Sequence, residues 1–258
     1  MNKVQQIANT LIELKKLGVS EKEIIEKYEE NILSLKNAEL SYAFAKNIES
    51  SDVKAHGKVV IESKELECNY DFARNVKDAD VKAHEKVVIE SKNPFWNYYF
   101  ARDVYGADVK AHGQVIIECK EPEWNYKFAK DVKGADVKAH GKVIIENKDP
   151  EWNYDFAKDV KGADVKAHGK VVIEIKNPEW NYNFAKDVHG SDVKAHAKVV
   201  IESENLVWNI RFEESLKDEY EIIKRSYLIK DAYNFMDDAL DGMIKENNEE
   251  NKSMQKRS

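Results

Sequence analysis

The sequence predicts an all-α fold: a right-handed α-solenoid of stacked two-helix repeats, closed by capping helices at both ends. Three observations carry this. The pentapeptide Asp-Val-Lys-Ala-His recurs at Asp52, Asp80, Asp108, Asp136, Asp164 and Asp192, always 28 residues apart. A fixed period in this range marks a chain built from stacked supersecondary units. Within each period, apolar residues follow helical spacing in two successive segments, with helix-starting and helix-stopping residues around them.

The repeat from Asp164 to Ser191 illustrates the unit. Asp164 precedes the first periodic segment and suits an N-cap, where a carboxylate accepts free backbone N–H groups. Asn177-Pro178 opens the second, because proline at the first helical position gives up no hydrogen bond and asparagine caps well before it. Gly190 is the left-handed residue expected after the second segment. The unit therefore reads as helices over about 164–175 and 178–189. The β-branched run Val171-Val172-Ile173 favours a strand locally, but a strand would leave the aspartate cap with no helix. The degenerate copy at Asn31-Ile32-Leu33 lies in a stretch opening Ser20-x-x-Glu23, a capping box, and so reads as helix.

The array extends beyond the six copies. Residues 37–46 match the second helix of a unit, so residues 20–50 form an atypical first hairpin. Val4, Ile7, Leu11 and Leu14 form the stripe of a capping helix ending at Gly18. The expected organisation is a capping helix and first hairpin over 1–50, six repeats over 51–219, C-terminal capping helices over 220–246 and a polar flexible tail over 247–258. The two C-terminal helices are placed at about 217–230 and 231–245.

At 100° per residue, Val165, Ala167, His168, Val171 and Val172 share one arc of the first helix. Trp180, Asn181, Tyr182, Phe184, Ala185 and Val188 share one of the second. Asn181 falls inside its arc, and a buried asparagine needs partners. Asn69, Asn97, Asn125, Asn153, Asn181 and Asn209 are therefore expected to form a ladder, bonded to histidines or backbone groups of an adjacent helix.

On the opposite face the copies differ. Asp71, Tyr99, Lys127, Asp155, Asn183 and Arg211 occupy one repeat position. They form the candidate partner-binding row, together with Phe95 one turn before Tyr99. Phe95 and Tyr99 stand i, i+4 and make the best candidate hot spot.

No chemistry beyond binding is legible. The histidines at 56, 84, 112, 140, 168 and 196 come one per repeat, about 10 Å apart by helix packing distances, too far to share a metal ion. Asp237, Asp238 and Asp241 read as a solvated acidic face. There is no Gly-rich phosphate loop, nucleophile elbow, HExxH or CxxC. No catalytic residue, cofactor or metal is expected. Cys68 and Cys119 occupy different repeat positions and read as reduced thiols.

The net charge is -7, with 34% charged residues. The acidity gathers between Glu213 and Glu250, leaving a body of mixed sign, which argues against a broad basic face. The lysines at 54, 82, 110, 138, 166 and 194 are spaced regularly enough to track phosphates, making nucleic acid the second choice of partner. The opening residues carry no apolar run after Lys3, and no stretch approaches a membrane span. A cytoplasmic location without membrane partners is expected.

The phrase Tyr-x-Phe-Ala-(Lys/Arg)-Asp-Val-x-Gly-Ala-Asp-Val-Lys-Ala, followed by Val-Ile-Glu-x-Lys-x-Pro, resembles tandem α-hairpin repeats of uncharacterised bacterial and phage proteins. It is similar in general shape to HEAT and tetratricopeptide solenoids. The resemblance covers about residues 37–212 and implies a non-enzymatic scaffold that binds another protein or protein complex. In a mobile element it implies an inhibitor of a host defence complex. Self-association through Phe95 and Tyr99, or through the C-terminal helices, is the remaining interaction expected.

Overall fold

The computed structural model describes residues 3–255, and every regular element among them is an α-helix. α1 (Lys3–Lys16), α2 (Glu21–Ser34) and α3 (Ala38–Asn47) come first. Six pairs follow: α4 (Val53–Ser63) and α5 (Leu66–Asn75), α6 (Val81–Glu90) and α7 (Pro94–Asp103), α8 (Val109–Cys119) and α9 (Pro122–Asp131), α10 (Val137–Asn147) and α11 (Pro150–Asp159), α12 (Val165–Ile175) and α13 (Pro178–Asp187), α14 (Val193–Glu202) and α15 (Leu206–Ser215). α16 (Lys217–Gln255) completes the described chain. This is the all-α repeat solenoid that the period requires. Contacts divide it into two compact units, one of residues up to Asn147 with Asp159–Ala163, the other of Lys148–Lys158 with the residues from Asp164 onward. Both follow the same plan, in which each pair supplies an A helix and then a B helix.

The caps explain why the helices begin where they do. Asp52, Asp80, Asp108, Asp136, Asp164 and Asp192 each accept the N–H of the alanine three residues on, at 2.9–3.1 Å. Each such cap is worth about 1 kcal/mol. Asn93 caps α7 and Asn177 caps α13, in each case with proline in the first turn. The capping box of Ser20 and Glu23 opens α2 as expected.

The A helices stop in a way the sequence does not announce. Lys64, Lys120 and Lys176 close them in the left-handed region, with φ of 57–59°, and Lys92 and Lys148 share this conformation. Glycine normally serves at such positions. Glycine does appear in the turn after the B helices, where Gly106, Gly134, Gly162 and Gly190 have φ of 81–90°. Asp78 holds that turn position in its repeat, at φ 61°.

The packed hairpin is displaced by half a repeat from the reading frame. α5 packs more broadly on α6 than on α4, and α7 more broadly on α8 than on α6. The turn between a B helix and the next A helix therefore joins the tighter pair. The core forms between successive repeats. Phe44, Phe72, Phe100, Phe128, Phe156, Phe184 and Phe212 are all 0% exposed, each contributing about 1.5–3 kcal/mol by burial. Around Phe128 lie Tyr98 and Ala101 from the preceding B helix, Ile116 from the intervening A helix, and Val132.

The C-terminal part departs from expectation. α16 runs unbroken from Lys217 to Gln255, where two helices and a tail from 247 were expected. No glycine or proline interrupts residues 217–241, so nothing in the chain opposes helix propagation there. The last three residues of the expected tail, 256–258, lie outside the described residues.

Candidate partner-binding surface

The buried histidines and asparagines that recur in the repeats are occupied with holding the repeats together, and this separates them from the residues free to bind. In the first unit, His84 Nδ1 meets Asn69 Oδ1 at 2.9 Å, His112 meets Asn97 at 2.7 Å, and His140 meets Asn125 at 2.8 Å. In the second unit, His168 meets Asn153 at 2.8 Å and His196 meets Asn181 at 2.7 Å. An amide oxygen only accepts, so in each pair the imidazole donates from Nδ1. The Nδ2 groups of Asn69, Asn97, Asn125 and Asn181 each also donate to two backbone carbonyls; for Asn125 these are Ile116 and Glu121. The expected asparagine ladder is thus present, with both kinds of partner.

The ladder is finished differently at its two ends. Tyr220 Oη donates to Asn209 Oδ1 at 3.2 Å, in place of a further histidine. At the other end Ser41 stands where an asparagine would be. Ser41 and His56 are both 0% exposed, and neither Ser41 Oγ nor His56 Nδ1 has a hydrogen-bond partner. Burial pushes the imidazoles of His84, His112, His140, His168 and His196 down to about 4, against a smaller opposing pull from nearby carboxylates.

A second ladder runs along the B helices. Tyr70 Oη donates to Asp103 at 2.8 Å and accepts from Arg74 at 2.7 Å. Tyr98 does the same with Asp131 and Arg102, and Tyr154 with Asp187 and Lys158 in the second unit. Burial, with the neighbouring Asp103 carboxylate, raises the Tyr70 phenol to about 12. The Lys/Arg-Asp pair of the repeat phrase is therefore structural. Tryptophans seal the same seam, with Tyr70 and Trp96 rings 5.5 Å apart and Tyr182 and Trp208 5.6 Å apart.

The variable row sits closer to the interior than its helical arc implied. Asp71, Tyr99, Lys127, Asp155 and Asn183 are half-buried, and only Arg211 is exposed. Neighbouring B helices lie side by side, so a face that is open on an isolated helix is partly covered in the stack. Burial raises the Asp71 carboxyl, against the pull of Lys46 and Arg74. Lys127 pairs with Glu123 at 2.6 Å and lies 4.8 Å from the Trp124 ring. Arg211 lies 4.7 Å from the Trp208 ring.

Phe95 and Tyr99 are in contact, with ring centroids 4.6 Å apart. Phe95 also meets Trp96 at 4.9 Å and Trp124 at 5.9 Å, and Arg102 stacks 4.5 Å from the Tyr99 ring. Phe95 remains 40% exposed. The result is an aromatic patch fixed from beneath by the seam, with a cation at its edge. Tyr105, 97% exposed just beyond the other end of α7, belongs to the same repeat. Its signal was in the sequence, since Lys77, Lys133, Lys161 and His189 hold that position elsewhere.

Cys68 and Cys119 are free thiols, and burial raises both, Cys68 to about 12. Asp237, Asp238 and Asp241 are exposed on α16. Among the described residues no cluster of three or more His, Cys, Asp or Glu side chains is arranged to hold a metal, and no helix is long and apolar enough to cross a membrane.

Fold and surface together define a helical-repeat protein. No family model, curated protein or solved structure matches the chain.

Proposed function

We propose that the chain is a non-enzymatic protein-binding scaffold whose anchor is the aromatic patch of α7. The observation that carries this is Phe95, 40% exposed and set among aromatic neighbours, where four of the other five copies have glutamate, at 67, 123, 151 and 179, and the last has Val207. An exposed ring held by rigid aromatic neighbours loses little conformational entropy on binding, which is how interface hot spots concentrate energy. The remaining row at 71, 127, 155, 183 and 211 sets specificity around it. The partner is a protein or protein complex, and inhibition of a host defence assembly is the role the repeat resemblance favours. The test is affinity capture from host lysate after nuclease treatment. A stoichiometric protein retained by the native chain and lost with Phe95→Ala, at unchanged melting temperature, supports the reading. Retention by the folded variant removes α7 as the anchor.

One observation favours a second reading. Lys54, Lys110, Lys138, Lys166 and Lys194 are exposed and enter none of the ion pairs among the described residues, whereas Lys82 pairs with Glu85 at 2.8 Å. A nucleic-acid ligand on that row would lose affinity steeply with rising salt. A flat salt dependence discards this reading.

A further inference from the structure

One A-helix position alternates between glutamate and a residue with little or no side chain: Glu29, Gly57, Glu85, Gly113, Gly141, Gly169 and Ala197. Where it is glutamate, the carboxylate reaches into the next repeat. Glu29 Oε1 accepts the Asp52 N–H at 2.8 Å, and Glu85 Oε1 accepts the Asp108 N–H. Each lies 3.4 Å from a histidine Nε2, of His56 and His112 respectively, an ion-pair distance without a hydrogen bond. Lys82 Nζ holds the other oxygen of Glu85 at 2.8 Å. Glu85 is only 4% exposed, so this seat supports a buried carboxylate once it supplies those donors.

At Gly57 and Gly169 the same seat opens into a groove. A groove of 690 Å³ between α4 and α6 is lined by Lys54, Gly57, Asp80 and His84. One of 550 Å³ between α12 and α14 is lined by Lys166, Gly169, Asp192 and His196. His84 is 0% exposed, and its Nε2 has no hydrogen-bond partner. A Cβ on Gly57 would stand 3.5 Å from that nitrogen, so the orphan atom faces the groove floor. Among the described residues, the Asp80 and Asp192 N–H groups meet no acceptor. Their carboxylates are turned back onto Ala83 and Ala195 as caps.

We propose that the glycine grooves bind carboxylate side chains of an acidic protein segment, each taking the seat that Glu85 fills from within the chain. In the first groove the Asp80 N–H and Lys54 are the donors. In the second they are the Asp192 N–H and Lys166. At neutral pH the imidazole stays neutral beside the bound carboxylate, as burial keeps His112 neutral beside Glu85. Asn69 holds Nδ1 of His84 throughout, and Phe72 stacks on its ring at 4.7 Å. This site lies on the A helices and does not depend on the aromatic patch of α7.

The test exchanges glycine and glutamate between repeats. Binding of a labelled oligoglutamate peptide is measured by fluorescence anisotropy, beside oligoglutamine and an oligothymidylate of equal charge. The native chain should prefer oligoglutamate. The Gly57→Glu, Gly169→Glu chain should bind it about twofold or more weakly, because its own carboxylates occupy these two seats. Glu85→Gly should bind more tightly, having one more groove. Circular dichroism establishes that each variant is folded; if the double variant is not, Glu85→Gly alone decides. Absence of oligoglutamate binding, equal affinity across the folded variants, or a preference for oligothymidylate that ignores the exchange would overturn the proposal.

Discussion

Acidification from pH 7.5 to 5.5 should destabilise this protein far more than its surface charges alone would require. His84, His112, His140, His168 and His196 are at most 1% exposed and burial holds each at about 4. An unfolded imidazole titrates near 6.5. Well above pH 6.5 both states are neutral, and the histidines favour neither. As the pH falls from 6.5 towards 4, the unfolded chain binds protons that the folded chain refuses, so stability is lost across that window and the loss is complete below it. At pH 5.5 linkage gives about 1.4 kcal/mol per histidine, or about 7 kcal/mol for the five, comparable to the net stability of a typical domain. Most carboxylates are still ionised at pH 5.5, which leaves the imidazoles as the main contributors. The assay is the urea midpoint by circular dichroism at pH 7.5, 6.5 and 5.5, repeated with His140→Gln and His168→Gln. Each replacement should remove about one-fifth of the pH dependence. A midpoint that is flat over this range, or a dependence unchanged by the replacements, would refute the argument that the imidazoles are folded in neutral.

Four further outcomes follow from the ladders and caps. Asn125→Leu leaves His140 Nδ1 and the Ile116 and Glu121 carbonyls without their amide partner and should cost about 3–5 kcal/mol, read as a fall in urea midpoint. Ser41→Asn should extend the ladder to His56 and raise stability by about 1–2 kcal/mol; a lower midpoint would mean the site cannot admit the larger side chain. Asp78→Gly relieves a left-handed φ of 61° and should raise the midpoint by about 0.5–1 kcal/mol. Asp136→Ala removes the bond to the Ala139 N–H and should cost about 1 kcal/mol, with faster amide exchange confined to the first turn of α10.

The features legible in the sequence were those with a local or periodic cause. Aspartate caps, the proline starts and the 28-residue period define the helices, and Asn181 drew attention by falling on an apolar arc. The left-handed lysines were not legible, because propensity assigns that conformation to glycine and says nothing against lysine in a particular turn. The half-repeat displacement of the packed hairpin was hidden because both loops are short. Position 99 and its equivalents were read as open because a helical wheel contains one helix, whereas each B helix in the stack has neighbours. Phe95 was visible as a departure from glutamate, and Tyr105 carried the same kind of signal at a loop position where a helical arc has no meaning.

The His–Asn bond has a consequence for the length of the protein. It is made with the same atoms at each rung, so no rung identifies its own number in the series. Excision of residues 108–135 would join Ala107 to Asp136 and bring His140 to Asn97, recreating a junction already present in the chain. Whole repeats are therefore interchangeable at the rungs, while Tyr220 closes the ladder at its C-terminal end. Such shortening or lengthening would move the α7 patch relative to any partner without disturbing the fold that carries it.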